Sequence, residues 1–118
     1  SNDLKYIENE IKLVKNIAGK NVLKVIIETC LLSKDEIIRI SKITEQNGGD
    51  YVKTSTGFSK YGATIEDVKI IKSAVSEQTG VKASGRIKNY SLLKDMIYAG
   101  ATRIGTSMGI DIIREAIL

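Results

Sequence analysis

Segments with a helical repeat of apolar residues alternate with short runs of β-branched residues, and this alternation is the strongest constraint on the fold. Capping residues and glycines mark the ends of the helical segments. The predicted helices lie at 3–18, 33–47, 64–79 and 89–98, with a last helix through 112–116. The predicted strands lie at 22–29, 51–55, 81–84 and 102–105.

This order is one helix followed by four strand–helix units. Such repeats form parallel strands joined by right-handed crossovers, with helices covering the sheet. Four units are half of an eight-stranded TIM barrel, which usually takes about 250 residues, and the chain has 118. We therefore predict an α/β fold of the TIM-barrel type, a half-barrel of four parallel strands flanked by helices. Residues 1–118 are predicted to form one domain.

A half-barrel on its own leaves two strand edges unpaired and leaves the future barrel interior uncovered. We therefore expect a companion. It is either a second copy of the chain, which makes a homo-oligomer, or an N-terminal half-barrel that is carried on another polypeptide or removed.

The charge pattern favours a small anionic ligand over a nucleic acid. The chain has 18 Lys and Arg against 14 Asp and Glu, but the two signs are interleaved, and aromatic residues make up 5%. A nucleic-acid footprint needs clustered basic residues and stacking rings. We predict no nucleic-acid partner.

The single cysteine, Cys30, excludes an intrachain disulfide, and the lack of histidine argues against a zinc cluster. With no histidine to activate it, Cys30 is predicted to be a packing residue. No apolar run approaches the ~18 residues of a membrane span, and no charged-then-apolar leader opens the chain. We predict a cytoplasmic protein with no membrane partner, no metal and no cofactor.

Two lysines occupy matching places in successive predicted strands. Lys53 lies in Tyr-Val-Lys-Thr-Ser-Thr-Gly and Lys82 in Val-Lys-Ala-Ser-Gly. A lysine at the end of a parallel strand loses hydration, and a second ammonium nearby disfavours its charged form, so the pKa falls and a free amine becomes available. The pair predicts Schiff-base chemistry, in which one lysine attacks a carbonyl and the other tunes it or moves protons.

Five motifs, in order, closely resemble deoxyribose-phosphate aldolase over nearly the whole chain. They are Leu23-Lys-Val-Ile-Ile-Glu-Thr-Cys30, Val52-Lys-Thr-Ser-Thr-Gly-Phe58, Gly62-Ala-Thr64, Val81-Lys-Ala-Ser-Gly85 and Gly100-Ala-Thr-Arg-Ile-Gly105. The resemblance implies a class I aldolase on a TIM barrel that reversibly cleaves 2-deoxyribose 5-phosphate to acetaldehyde and glyceraldehyde 3-phosphate. It implies that this chain is the C-terminal half, from the helix before the fifth strand to the last helix.

The resemblance also implies roles for the two lysines. Lys53 corresponds to the residue that forms the Schiff base, and Lys82 corresponds to the second active-site lysine. The iminium at Lys53 would act as an electron sink for cleavage of the adjacent carbon–carbon bond, and the resulting enamine would then be protonated. The proton relay of the family also uses an aspartate from the half of the barrel that this chain lacks.

Phosphate recognition needs backbone N–H groups and small hydroxyls at the ends of the last two strands, where barrels commonly bind phosphate. The predicted phosphate-binding residues are Thr56, Gly57, Gly85, Arg86 and Ser107. Two positions depart from the family pattern, since Arg86 replaces a second glycine and Met108 a second serine. Arg86 either supplies a charge-assisted contact to phosphate or obstructs the close approach that a glycine allows.

Lys24 and Glu28 alternate to the same side of the first predicted strand, which predicts an internal ion pair between them. Tyr51 shares the face of Lys53 by the same alternation, but neither Tyr51 nor Glu28 is predicted to be catalytic.

Three functions are compatible with these observations. The first is an aldolase that is active when completed by its other half. The second is a catalytically incomplete half-barrel that binds a phosphorylated sugar or self-associates. The third, a different Schiff-base aldolase or a transaldolase, fits the lysine chemistry but lacks the ordered motifs.

Overall fold

The computed structural model describes residues 2–117 of the chain, in which helices and strands alternate. The five α-helices of this region are α1 (Asn2–Ala18), α2 (Lys34–Gln46), α3 (Ile65–Ala74), α4 (Tyr90–Ala99) and α5 (Gly109–Ile117). Its four strands are β1 (Lys24–Ile26), β2 (Tyr51–Lys53), β3 (Gly80–Ser84) and β4 (Arg103–Gly105). A single turn of 3₁₀ helix, Thr29–Leu31, follows β1.

The four strands form one parallel sheet in the order β1-β2-β3-β4. Each strand therefore pairs with the next one along the chain, and a helix runs back between them. This confirms the predicted α/β fold, with four parallel strands flanked by helices.

One face of the sheet carries the hydrophobic core. Val52, Val81 and Ala83 point toward the helices and are fully buried. They pack with Ile37, Val68, Ile71 and Met96 from α2, α3 and α4 in a single cluster. Burial of these side chains is what holds the helices on the sheet.

The opposite face, here called the inner face, has no helix over it. Side chains alternate along a strand, so its residues are the ones between the core positions. They are Lys24 and Ile26 of β1, Tyr51 and Lys53 of β2, Gly80, Lys82 and Ser84 of β3, and Arg103 and Gly105 of β4. Ile26 is 45% exposed there.

Helix starts follow the predicted caps closely. The Ser33 hydroxyl accepts a hydrogen bond from the N–H of Glu36, whose carboxylate accepts from the Ser33 N–H, so a capping box starts α2 where the sequence predicts a helix to begin. Thr64 caps α3 in the same way, through the N–H of Asp67. These local signals confirm where α2 and α3 begin.

The end of α3 was predicted wrongly, because the helix stops at Ala74 and not near Gly80. The Glu45 carboxylate of α2 accepts hydrogen bonds from the Ser76 N–H and from the hydroxyls of Ser76 and Thr79. This contact holds the chain in a turn where the helix would otherwise continue. Gly80 is the first residue of β3.

Three of the strands are shorter than predicted, most of all β1, whereas β3 begins one residue earlier than predicted. The pairing of β1 continues irregularly, since the Ile27 N–H donates to the Lys53 carbonyl and the Thr29 N–H to the Thr54 carbonyl. Glu28, between them, is in the left-handed region with φ 52° and ψ 69°. No helix within residues 2–117 is long and apolar enough to cross a bilayer.

Candidate active site

The two predicted lysines lie directly opposite each other in neighbouring strands. Lys53 ends β2 and Lys82 is the middle residue of β3, and the register pairs them. Both therefore leave the sheet on the inner face, since paired residues of parallel strands point to the same side.

Lys82 is further surrounded by positive charge. A hydrogen bond with the Lys24 side chain is the largest cause that lowers the pKa of Lys82 below its usual value of 10.5. Partial loss of hydration lowers this pKa further, as do the charges of Lys24, Lys53 and Arg103. The surroundings of Lys82 thus make its charged form less favourable than that of a lysine in water.

A glycine makes the room that Lys82 occupies. Gly105 lies next to it on β4, and a Cβ atom at this position would come within 3.1 Å of Lys82 Cε and would overlap the Ser84 hydroxyl. That hydroxyl is buried and has no hydrogen-bond partner among the described residues. Gly105 therefore shapes the wall beside the lysine.

A cavity of about 730 Å³ opens at the carboxyl ends of β2, β3 and β4. All seven residues predicted for the site line it, namely Lys53, Thr56, Gly57, Lys82, Gly85, Arg86 and Ser107. Its wall also includes residues that were not predicted for the site, namely Phe58, Ser84, Ile87, Lys88, Gly105, Thr106 and Met108. Lys88 adds a second cation near Arg86, and only the turn after β3 brings it there.

Backbone donors gather at the end of this cavity. The N–H groups of Gly57, Arg86 and Ser107 donate to no protein group within residues 3–117. Gly57 and Gly85 have φ of 93° and 94°, a conformation that glycine adopts without strain. Unpartnered N–H groups beside the start of a helix are the donors that an anion needs.

The two glycine loops touch each other. A Cβ at Gly85 would come within 2.8 Å of the Cα of Gly62, and the Ala63 N–H donates to the carbonyls of Ser84 and Gly85. Close backbone packing therefore requires glycine at both 62 and 85. At 85 the positive φ is a second reason.

Arg86 has a backbone conformation that usually requires glycine. Its φ of 59° is left-handed, and its guanidinium donates to the Ser59 carbonyl at 3.2 Å. The side chain therefore bridges two loops at the rim of the cavity.

The predicted ion pair between Lys24 and Glu28 was wrong, since none of the ion pairs in residues 3–117 joins them. The left-handed turn at Glu28 takes its carboxylate away from β1 and toward Thr56. Glu28 accepts the Thr56 N–H at 3.2 and 3.3 Å and the Thr56 hydroxyl at 2.7 Å. Both donors of Thr56 are thus already in use.

The fold and the paired lysines together define a half-barrel of the TIM type with a cavity at the carboxyl ends of its strands, where such barrels carry their active sites. Among models of known protein families, none matches the chain. Its relatives are more informative.

Deoxyribose-phosphate aldolase from Natranaerobius thermophilus is 50% identical over 113 residues, which are 96% of this chain and 51% of that protein. The solved structure of QR15, an aldolase, superposes with a TM-score of 0.91 at 41% identity and covers 99% of this chain and 53% of QR15. A tetrameric deoxyribose phosphate aldolase from Aeropyrum pernix gives 0.80 at 30% identity, covering 97% of this chain and 48% of its own.

The chain spans about half the length of the curated relatives it matches. Over that half it is similar to deoxyribose-phosphate aldolases in both sequence and fold, so the resemblance seen in the five motifs is confirmed.

Proposed function

We propose that this chain provides the catalytic lysines and the phosphate site of a class I aldolase that reversibly cleaves 2-deoxyribose 5-phosphate to acetaldehyde and glyceraldehyde 3-phosphate. The observation that carries the proposal is the register that sets Lys53 opposite Lys82 on the inner face, at the wall of one cavity. Relatives with the name of this activity support it.

In this mechanism Lys53 Nζ adds to the aldehyde carbon of the open-chain sugar, and loss of water leaves an iminium. The bond between the second and third sugar carbons then breaks. Its electrons move to the iminium and form an enamine, while the third carbon becomes the aldehyde of glyceraldehyde 3-phosphate.

Lys82 is placed to carry the proton in this step. Its neutral amine takes the proton that leaves the hydroxyl on the third carbon, and the resulting ammonium returns a proton to the second carbon of the enamine. Water then hydrolyses the iminium and releases acetaldehyde. The lowered pKa of Lys82 supports this role, because it favours the amine that must accept.

The phosphate would lie at the other end of the cavity. The unpartnered N–H groups of Gly57, Arg86 and Ser107 supply donors, Gly85 allows close approach, and the cations of Arg86 and Lys88 add charge. Thr56 contributes through the position of its loop, since its own donors are held by Glu28.

We further propose that the chain is one domain, equivalent to the C-terminal half of such a barrel, and that an N-terminal half closes it. The alternative companion is a second copy. The inner face carries four basic side chains, Lys24, Lys53, Lys82 and Arg103, and none of the strand residues on it is a carboxylate.

The basic side chains of the inner face favour an N-terminal half over a second copy as the companion. Two copies facing each other would bring twice these four cations into one interior, which is strongly unfavourable at low dielectric. A half-barrel of different sequence with inward carboxylates would neutralise them. We propose that the completed barrel then forms a homo-oligomer in the cytoplasm.

A second candidate function is a catalytically incomplete half-barrel that binds a phosphorylated sugar. It is favoured by one observation, that no Asp or Glu lines the cavity within the described residues. Such a chain would bind the phosphorylated sugar without turning it over.

Reductive trapping tests both candidates. The chain is incubated with acetaldehyde or deoxyribose 5-phosphate and reduced with borohydride, and peptides are mapped by mass spectrometry. We expect an adduct on Lys53 and none in Lys53→Leu. An adduct without turnover indicates a competent nucleophile that lacks its proton relay. No adduct on Lys53 with either compound contradicts the aldolase and leaves the half-barrel that only binds.

A further inference from the structure

Glu28 has a left-handed backbone conformation, and its carboxylate contacts Thr56. It is one of two non-glycine residues with positive φ in residues 2–117, the other being Arg86. Left-handed backbone is unfavourable for a side chain of this size, so the surrounding structure must impose it. Two flanking hydrogen bonds do so, from the Ile27 N–H to the Lys53 carbonyl and from the Thr29 N–H to the Thr54 carbonyl.

The Glu28 carboxylate holds the loop that follows β2, the strand that ends with Lys53. Its oxygens accept the N–H and the hydroxyl of Thr56, and the Thr56 hydroxyl in turn accepts the Phe58 N–H at 3.3 Å. We call these contacts the Glu28 clamp. Gly57, whose N–H faces no protein acceptor among the described residues, lies between the two clamped positions.

The same loop is anchored on its other side to β3. The Thr54 N–H donates to the Lys82 carbonyl, and the Thr54 hydroxyl bonds to the carbonyl and the N–H of Ser84. That second anchor is buried, whereas the Glu28 clamp is exposed to solvent. Exposed hydrogen bonds add little to folding, so the clamp serves the shape of the loop more than the stability of the chain.

We propose that Glu28 is a positioning residue for substrate phosphate: its carboxylate holds Thr56 so that the N–H of Gly57 points into the cavity. This inference rests on the proposed function, since it assumes that the phosphate of the substrate lies at this loop. Glu28 acts through Thr56 and Gly57 and touches no reacting atom.

The chain offers a matched control for the clamp. Glu45 of α2 accepts one backbone N–H and two hydroxyls, from Ser76 and Thr79. These hydrogen bonds join α2 to the turn after α3, outside the cavity. Glu28→Asn suits the left-handed backbone but is too short to reach Thr56. Glu45→Asn makes the same chemical change away from the site.

The experiment measures how much of each aldehyde is needed for half-maximal borohydride trapping on Lys53 of the full chain. In Glu28→Asn we expect the concentration of deoxyribose 5-phosphate that gives half-maximal trapping to rise about tenfold, because a charge-assisted contact that orients one donor is lost. Acetaldehyde, which has no phosphate, should trap as in the parent. Glu28→Gln, which keeps one acceptor oxygen, should recover part of the loss, and Glu45→Asn should match the parent with both compounds.

Thr56→Ala removes the hydroxyl contacts of the clamp to Glu28 and Phe58 while keeping the N–H contact, and it keeps the test decisive if Glu28→Asn folds poorly. Equal loss with both compounds, or no loss in either variant, overturns the proposal. A parent chain that traps neither compound refutes the proposed function itself, which is a different result.

Discussion

At the scale of single residues, the chemistry depends on what surrounds Lys82. Gly105 leaves room for its side chain, and the hydrogen bond with Lys24 on β1 favours its neutral form. Lys24 stands two strands away in the sheet, so this contact crosses over β2. The pKa of Lys82 is therefore set mainly by a residue that was not predicted to belong to the site.

Replacing Lys24 by methionine should raise the pKa of Lys82 toward 10.5, since the hydrogen bond and the nearest positive charge are both lost. Titration of the Lys82 side chain by NMR would measure this. Lys42→Met, an exposed change on α2, is the control and should leave Lys82 unaffected. An unchanged Lys82 titration in Lys24→Met would contradict the assigned cause.

The same shift has a consequence for stability. Because the pKa of Lys82 is lower in the folded chain than in the unfolded one, the unfolded state binds more protons between those two values. The free energy of unfolding should therefore rise with pH in the range below 10.5, where the penalty for a charged Lys82 is relieved. The rise should be smaller in Lys82→Met, measured by urea unfolding at pH values across that range.

At the scale of elements, the site depends on how the ends of β2 and β3 are joined. Thr54 is fully buried just after β2, and its hydroxyl bonds to the carbonyl and N–H of Ser84 and to the Ser55 hydroxyl. This side chain fixes the separation of the two strands at the point where the lysine pair enters the cavity.

Thr54→Val keeps the shape of the side chain but leaves those buried groups without a partner. We expect a loss of about 1–3 kcal/mol in the free energy of unfolding. Thr102→Val is the control, since that hydroxyl makes one longer bond, 3.4 Å, to the Val81 carbonyl. An equal loss in the free energy of unfolding for the two substitutions would contradict a larger contribution of the Thr54 hydrogen bonds to stability.

At the scale of the whole molecule, the chain is a half-barrel with an uncompensated inner face. Lys24, Lys53, Lys82 and Arg103 take part in none of the ion pairs found within residues 3–117. Apolar side chains are also exposed on both terminal helices, including Leu13 and Ile17 of α1 and Ile110, Ile113 and Ile117 of α5. These are the helices beside the two open edges of the sheet, where a companion half would pack.

Salt should therefore stabilise the isolated chain. Raising NaCl from about 10 mM to about 150 mM shortens the screening length from about 30 Å to about 8 Å and weakens the repulsion among these cations. We expect the free energy of unfolding in urea to rise by up to about 1 kcal/mol. The double variant Lys24→Met/Lys82→Met should lose most of this dependence and Lys42→Met little of it, while a fall in parent stability with salt would contradict the argument.

Much of the architecture could be predicted from local patterns. The order of helices and strands, the caps at Ser33, Thr64 and Asn89 and the pairing of Lys53 with Lys82 all follow from periodicity, capping chemistry and strand alternation. These features depend on residues near one another in the chain, and the sequence contains that information directly.

Only the tertiary structure decided the features that join distant segments. The end of α3 depends on Glu45 from α2, the orientation of Glu28 on hydrogen bonds to β2 and its loop, and the state of Lys82 on Lys24 and Gly105 from two other strands. No local pattern encodes them, because each depends on where a strand or turn more than twenty residues away brings its side chains. By itself the sequence determined a parallel half-barrel with two matching lysines in neighbouring strands; packing between its units determined which lysine has a lowered pKa and which loop is held beside it.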